Sequence, residues 1–595
     1  MADQCMGGQF MTGPVSWKDT FIPEDFTREH RAIAKTVREF VAGELQSRGD
    51  EIEHVNNELS RELMQKAGDL GLLAADIPEE YDGMALDKIS SLIISDILGQ
   101  GAGSFTVTEL NHTGIGTLPL AFFGTDDQKK RYLGGLSTGK LIGAFGLTEP
   151  DAGSDALNAR TTAVLSDDGK HYILNGTKAF ITNAGFADLI FAFAKVNGAA
   201  FTAFIVEFGS EGLSVDAEEI KMGMKGTSTR SVIFNNVRVP VENVLGEVGK
   251  GHVVALNALN MGRFKVGAVC IGNARGTFTE AVKYATQRVQ FNRPICEFGL
   301  ITEKIAEMAC RIFAGESMMY RTAHWVERHT KTEASTPETI GRITAAALEE
   351  YLIECSIMKV FGSEALGFVA DESVQICGGY GYIYENPAEL AFRNARINRI
   401  WEGTNEINRT TIIGTFLRRM SKGRLKLPVQ TPDNPFRMMT DLQPVRSDDP
   451  ETLDAQENMI AIAKSVACIL IQAAQNRYQG DLRGEQEAGG ILSDMIIEIF
   501  ACESACLRAQ KIDANKKDIK LPAVLMTKNL SIRLFETLRS RIGRILPAIA
   551  GPDGFYDRMA SLDSLLTPPM VDTIALNRRI ADICVRKKGY PFKIM

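Results

Sequence analysis

Apolar positions at helical spacing open the chain. Ile33, Val37, Phe40 and Val41 share one face of a helix that Thr27 caps and that runs to about Glu44. A second helix over about 60–70 ends at Gly71, and residues 78–83 form a turn. The helical period resumes at Lys88 and continues with interruptions to about Phe123. From about Phe145 the period shortens to that of strands. Residues 162–165 and 172–174 flank Asp167-Asp168-Gly169, a hairpin signal. Residues 179–181, 189–196, 201–207 and 231–239 follow without crossover helices, which predicts a small antiparallel barrel or sandwich and not a Rossmann unit. After Gly251 long helices return at roughly 251–289, 299–329, 335–367, 369–377 and 404–420. Polar, proline-containing sequence from 421 to Pro450 reads as a linker. About four amphipathic helices come next. Leu492, Met495, Ile496, Ile499 and Phe500, and again Leu534, Phe535, Leu538 and Ile542, keep one-face spacing.

The predicted fold class is therefore mainly α with a central β-domain. The segments are an N-terminal extension (1–26), a helical domain (27–144), a β-barrel domain (145–250), a helical bundle (251–420), a linker (421–455) and a C-terminal helical domain (456–595). A length of 595 residues suits several domains. The formal charge of -8 argues against a general nucleic-acid binder. The ten cysteines include no CxxC pair and the seven histidines no HExxH, so neither a disulfide framework nor a metal site is expected. Residues 1–20 lack the pattern of a secretory signal, and no apolar run approaches 18 residues. The expected location is the cytoplasm.

Three stretches carry candidate chemistry. In Arg399-Ile400-Trp401-Glu402-Gly403-Thr404-Asn405, one carboxylate sits between an apolar wall and a glycine that leaves room for a ligand. Held against apolar surface, Glu402 becomes a stronger base. Read on spacing alone, it is a solvated glutamate at a helix start. Residues 147–155 form a turn dense in backbone donors and hydroxyls, able to contact a polar ring or phosphate. Residues 178–185 place Phe180 beside Thr182 at a strand end. The glycine-rich run 99–103 lacks a preceding strand, so it reads as a loop or close helix packing.

Taken together, residues 27–420 resemble the acyl-CoA dehydrogenases, a flavoprotein superfamily. The matching motifs are Leu-Thr-Glu-Pro-x-x-Gly-Ser-Asp at 147–155, Asn-Gly-x-Lys-x-x-Ile-Thr-Asn at 175–183 and Lys-Met-Gly-Met-Lys-Gly at 221–226. They continue with 239–246, Arg-Val-Gln-Phe at 288–291, 375–381 and Trp-Glu-Gly-Thr-Asn at 401–405, all in the family's order. Residues 298–306 and the long C-terminal bundle resemble the very-long-chain branch. The resemblance implies FAD as cofactor, an acyl-CoA substrate, electron-transfer flavoprotein as partner and a homodimer.

It also implies roles for individual residues. Glu402 takes the α-proton of the thioester while the β-hydride passes to flavin N5. Phe145, Leu147, Thr148 and Ser154 line the flavin, Ser154 also lying near the CoA chain, and Phe180, Ile181 and Thr182 stand on its other face. Arg288, Phe291, Gln375, Gly378 and Gly379 reach FAD from a neighbouring subunit. Thr404 and Glu406 approach its phosphate and adenine side. Asn260, Arg263 and Gly403 lie on the substrate side, and Gly262 marks the place where some branches carry an alternative base. Apart from the resemblance, the small residues around Gly101, Gly103 and Ser104 permit a deep acyl pocket, while the chain length it takes is not read from the sequence. Arg418, Arg419, Lys422, Arg424 and Lys426, beside Phe416 and Leu417, form a segment for weak peripheral contact with an anionic membrane. The alternatives are an acyl-CoA oxidase of the same fold, a DNA-binding damage-response member and an inactive lipid-binding protein. The absence of a basic excess over 451–595 opposes the DNA binder, and the presence of Glu402 opposes the last.

Overall fold

The computed structural model describes residues 5–331, 336–431, 433–446, 449, 452–482, 484–515, 519–551 and 554–592. Seven helices come first: α1 (Arg28–Phe40), α2 (Gly49–Ile52), α3 (Asn57–Asp69), α4 (Lys88–Leu98), α5 (Gly103–Thr113), α6 (Leu118–Phe123) and α7 (Asp126–Ser137). Thr27 caps α1, its hydroxyl accepting from His30 N–H at 3.2 Å. His30 Nδ1 accepts from Thr27 N–H in return, so a histidine fills the place a glutamate takes in the usual capping box. The other ring nitrogen of His30 lies 3.1 Å from Asp87, whose carboxylate caps α4 through Ser90 N–H. One imidazole thus joins two helix starts.

The middle of the chain is an eight-stranded sheet. Its strands are β1 (Gly143–Gly146), β2 (Thr162–Leu165), β3 (His171–Thr182), β4 (Leu189–Val196), β5 (Ala200–Glu207), β6 (Leu213–Val215), β7 (Thr229–Pro240) and β8 (Val244–Leu245), in the order β6-β7-β3-β2-β4-β5-β8 with β1 beside β4. Most neighbours are antiparallel. Two are not: β1 and β2 both run parallel to β4, pairing Gly143 with Leu189 and Thr162 with Lys195. Leu189 to Ala194 are all buried, the continuous apolar run of a strand covered on both faces.

Helices return as α8 (Gly251–Gln287), α9 (Gly299–Thr330), α10 (Pro337–Glu350), α11 (Leu352–Cys377), α12 (Pro387–Ala395) and α13 (Asn405–Ser421). The break expected near 368 is absent, and α11 runs straight through it. Gly367 serves a close approach there, since a β-carbon on it would lie 2.1 Å from the Arg399 guanidinium. The real break is at Tyr351, where Arg419 donates to the carbonyls of Glu349 and Glu350. Helix α12 was not anticipated. The expected start at 335 lies outside the described residues.

Among its described residues the C-terminal domain has five helices where about four are expected: α14 (Asp454–Arg477), α15 (Gln486–Asn515), α16 (Lys520–Ala550), α17 (Phe555–Leu565) and α18 (Thr573–Lys587). By length and composition α14 is apolar enough to cross a membrane, which no single run in the sequence had indicated. Here its apolar face, including Met459, Ala463, Val466 and Leu470, is buried in the bundle. The linker is partly ordered, with Pro435 and Met439 buried in a short turn at Pro435–Asp441. Its residues 432, 447–448 and 450–451 lie outside the described residues, as do 1–4.

The N-terminal extension is no loose tail. Phe10 is fully buried with its ring 4.6 Å from that of Phe500, and Gly8 N–H donates to Glu354 Oε1 at 2.7 Å. Glu24 pairs with Arg508 on α15 at 2.7 Å. Arg508 also reaches Glu316 on α9 at 2.6 Å, and Glu316 meets Arg275 on α8, which meets Asp96 on α4. Charges this deep persist only when paired. The basic run after α13 is also partly engaged. Phe416 and Arg419 are buried, Arg419 bonds Gly7 O, and Arg424 pairs with Glu350 at 2.6 Å. Arg418, Lys422 and Lys426 remain at the surface.

Candidate active site

Strand β1 is set by α5. Gly143 N–H donates to His112 Nδ1 at 3.1 Å, and Asn111 Nδ2 donates to Gly143 O at 3.3 Å. His112 Nε2–H donates in turn to Leu136 O at 2.8 Å, so the ring works as a neutral tautomer. Burial lowers its pKa to about 4. Phe145 and Leu147 are buried, with the Phe145 ring 5.1 Å from Phe193, whereas Thr148 is half-buried and Ser154 exposed.

The 147–155 segment is pinned to the next one. Ala179 N–H donates to Thr148 O at 2.9 Å. Lys178 Nζ pairs with Glu149 at 2.7 Å, both buried, and Glu149 also accepts from Thr161 N–H at 3.0 Å. The acid and the base thereby compensate each other's desolvation. One residue further on, β3 bulges against β7, and Phe180 takes a left-handed φ of 58°. Its ring stands 64% exposed while Ile181 is buried and Thr182 half-buried. An aromatic residue in this conformation is strained, and the result is a planar apolar face offered to the outside of the sheet. Asn183 Nδ2 ties the far end of the bulge to Thr108 O of α5 at 3.0 Å.

Glu402 does not start a helix in solvent. It sits two residues before the Thr404 cap of α13, in a turn where Glu402 and Gly403 both have left-handed φ, 56° and 76°. Arg263 Nε donates to Glu402 O at 3.2 Å, and Asn408 Nδ2 to Gly403 O at 2.8 Å. Lys359 Nζ donates to Gly403 O and to Asn405 Oδ1, both at 2.8 Å. Held this way, the carboxylate lies over Gly262 of α8. Its Oε2 is sealed from solvent and has no hydrogen-bond partner. Burial pushes the Glu402 pKa up to about 7, against the opposing pull of Arg263 and Lys359. Asn260 is buried, its Oδ1 accepting from Arg263 at 3.2 Å. Arg399 Nε, Trp401 Nε1 and Asn408 Oδ1 are also buried without partners, so unmet polar atoms cluster on this one turn.

The remaining candidate residues lie elsewhere. Arg288 is separated from Arg263 by about seven turns of α8, roughly 37 Å at the helical rise. It is exposed, as are Gln375 at the end of α11 and Phe291, which is 87% exposed with a φ of 50°. Gly378 and Gly379 follow α11 with open space where a β-carbon would stand. Tyr284 and Tyr380 stack at 6.1 Å and hold these two helix ends side by side. Glu406 is exposed. Its carboxylate pKa is lowered by a backbone N–H and by Thr404, so it occupies the positive start of α13 itself, and a phosphate there would meet its charge.

The glycines at 101 and 103 do not simply open a pocket. A β-carbon on Gly101 would lie 2.8 Å from Leu45, and one on Gly103 2.9 Å from Asn394. Ser104 is a polar joint, its hydroxyl donating to Glu53 and accepting from Gly226 N–H. These small residues serve close packing, and Gly103 borders a small cavity, together with Val107, Met224, Val269 and Leu366. The sequence reading missed Lys359, Asn408 and His112 as parts of the site. A lone lysine inside the apolar run Ile357-Met358-Lys359-Val360 was the available signal.

Comparison with known proteins follows the same division of the chain. Residues 27–140, 144–237 and 249–417 match the N-terminal, middle and C-terminal domains of acyl-CoA dehydrogenases, and 462–559 match a further acyl-CoA dehydrogenase C-terminal domain. A "probable acyl-CoA dehydrogenase" of Bacillus subtilis is 42% identical over 575 residues, 96% of each chain. The very long-chain specific acyl-CoA dehydrogenase of Macaca fascicularis mitochondria is 41% identical over 58% of this chain and 52% of its own. The crystal structure of an acyl-CoA dehydrogenase complexed with FAD from Bacillus anthracis superimposes with a TM-score of 0.93 at 40% identity, covering 98% of this chain and all of that one. The chain belongs to the acyl-CoA dehydrogenase family of flavin-dependent oxidoreductases.

Proposed function

We propose that the chain oxidises a long-chain fatty acyl-CoA to the trans-2-enoyl-CoA, with FAD as cofactor and electron-transfer flavoprotein as electron acceptor. The observation that carries this reading is the buried, partnerless Oε2 of Glu402 above Gly262. A thioester α-proton is weakly acidic, and a carboxylate stripped of water and of hydrogen bonds is a base matched to it. Arg263, Asn408 and Lys359 hold the backbone beneath it, so the carboxylate needs no reorganisation as the proton moves.

The chain's surfaces fit the cofactor. Phe180 offers an exposed planar apolar face, with half-buried Thr182 two residues on and half-buried Thr148 bonded to the adjacent Ala179, and Trp401 Nε1 is a buried donor still without an acceptor. The chemistry supplied by bound FAD is acceptance of a hydride from the β-carbon. Arg288, Phe291, Gln375, Gly378 and Gly379 lie too far along α8 and α11 to join this face within one chain. They suit the cofactor of a second copy, which supports a homodimer.

Glu402→Gln tests the reading. Expected is holoprotein that keeps its yellow flavin and loses turnover with acyl-CoA and an artificial electron acceptor by at least 10³-fold. Full activity in that variant refutes the assignment.

A further inference from the structure

Lys359 is the one cation on the Glu402 turn that comes from α11. It lies midway along the helix, fully buried among Ile357, Met358 and Val360. A buried ammonium is costly unless its donors are met. Two of them are met on the turn, at Gly403 O and Asn405 Oδ1. Asn405 is clamped in its turn, its Nδ2 donating to Ser363 Oγ at 3.1 Å and to Glu364 Oε1 at 3.0 Å. Lys359 therefore meets a prepared pair of acceptors and does not fill a gap. The turn needs such support. A glutamate with a left-handed φ persists only where its surroundings hold it there.

The charges around the turn come from three helices. Arg263 and Cys270 lie on α8, Cys355 with Lys359 on α11, and Glu406 on α13. Burial raises both thiols, Cys270 up to about 12, so they stay neutral. Arg263 and Lys359 are the two cations that act on the Glu402 carboxylate. Arg263 spends its Nε on the Glu402 carbonyl and its Nη1 on Asn260.

We propose that Lys359 is a positioning residue for Glu402. Its ammonium, bonded to Gly403 O and Asn405 Oδ1, fixes the left-handed turn that aims the carboxylate over Gly262, and its charge allows that carboxylate to ionise inside an apolar pocket. This rests on Glu402 as the proton acceptor. The supporting electrostatics run in the matching direction. Burial lowers the Lys359 pKa to about 8 while Glu402 pulls it back up, and Lys359 draws Glu402 down from the value that burial alone would give.

The test compares Lys359→Met and Lys359→Arg with the unaltered holoenzyme. Two quantities are read: the pH dependence of kcat and KM for a long-chain acyl-CoA, and infrared titration of the Glu402 carboxyl, assigned by subtracting Glu402→Gln. In Lys359→Met the carboxyl should titrate at least one pH unit higher. Its kcat at pH 7 should fall at least tenfold and recover as the pH is raised, with KM changed less than threefold. Lys359→Arg should keep the carboxyl within half a unit. Should Lys359→Met not accumulate as holoprotein, Lys359→Gln, which keeps a donor but no charge, carries the same expectation. An unchanged carboxyl titration, or a kcat loss equal at every pH, overturns the proposal. Turnover surviving in Glu402→Gln removes the base reading instead and leaves the infrared result for Lys359 standing, so the two failures are distinguishable.

Discussion

A β-carbon placed on Gly262 would lie 2.3 Å from Oε2 of Glu402 and 2.5 Å from its Cδ. The carboxylate and any side chain at 262 exclude one another. Glycine inside a helix is otherwise unfavourable by about 1 kcal/mol relative to alanine. Gly262→Ala should therefore leave thermal stability unchanged or slightly raised, while the displaced carboxylate lowers kcat about 100-fold. Calorimetry beside steady-state turnover checks both halves. A fall in stability with turnover intact contradicts the geometry.

The acid–base behaviour of Glu402 has a definite sign. Its folded pKa, about 7, lies above the ordinary 4.5, so its contribution to stability is full below 4.5 and is lost as the pH rises toward 7. The loss is about 1.4 kcal/mol per pH unit within that window. Over the same range the active ionised base appears, and kcat/KM should climb with unit slope to a plateau above 7. Glu402→Gln should flatten the difference in urea stability between pH 5 and pH 7. Buried Glu109 and Glu354, also raised to about 7, contribute equally to both proteins and drop out of the comparison.

His112 titrates in the opposite sense. Its folded pKa of about 4 lies below the ordinary 6.5, so neutral His112 stabilises fully above 6.5 and that stability is lost as the pH falls toward 4. The total is about 3 kcal/mol. Protonation also turns Nδ1 into a donor facing the N–H of Gly143, which detaches β1 from α5. His112→Gln removes this titration, and flavin release on acidification should move to lower pH. A release midpoint identical to that of the unaltered protein rules this out.

Arg508 ties the two ends of the molecule to its middle. Arg508→Met leaves half-buried Glu24 without its cation and takes one of the two cations from fully buried Glu316, which keeps Arg275, and should lower stability by about 3 kcal/mol. Adding Glu316→Gln should return part of it. Thermal unfolding measures the loss, and limited proteolysis should show cleavage before residue 25 first.

Much of the architecture was written in periodicity. The Thr27 cap, the strand run from 162 onward and the paired one-face stripes of α15 and α16 follow directly from apolar spacing and cap chemistry. What escaped was what depends on contact. The sequence reading ends a helix at 367, whereas Gly367 stands inside an unbroken helix to let Arg399 approach, and the break at Tyr351 has no local marker. Gly403 looked like room for a ligand, whereas its positive φ makes the turn and Gly262 provides the room. Lys359 carried no motif. Its role exists only because α11 brings it to a carbonyl 44 residues away.

The clasp at the N-terminus sets a schedule for synthesis. Glu24 finds Arg508 only after 484 further residues have been joined. At 5–20 residues per second that takes roughly half a minute to a minute and a half. Throughout that interval Phe10 lacks the Phe500 ring it packs against in the finished protein, and Glu24 lacks its cation. The segment around Phe10 and Glu24 is thus among the last to settle, because part of its partners lies in the bundle made long after it.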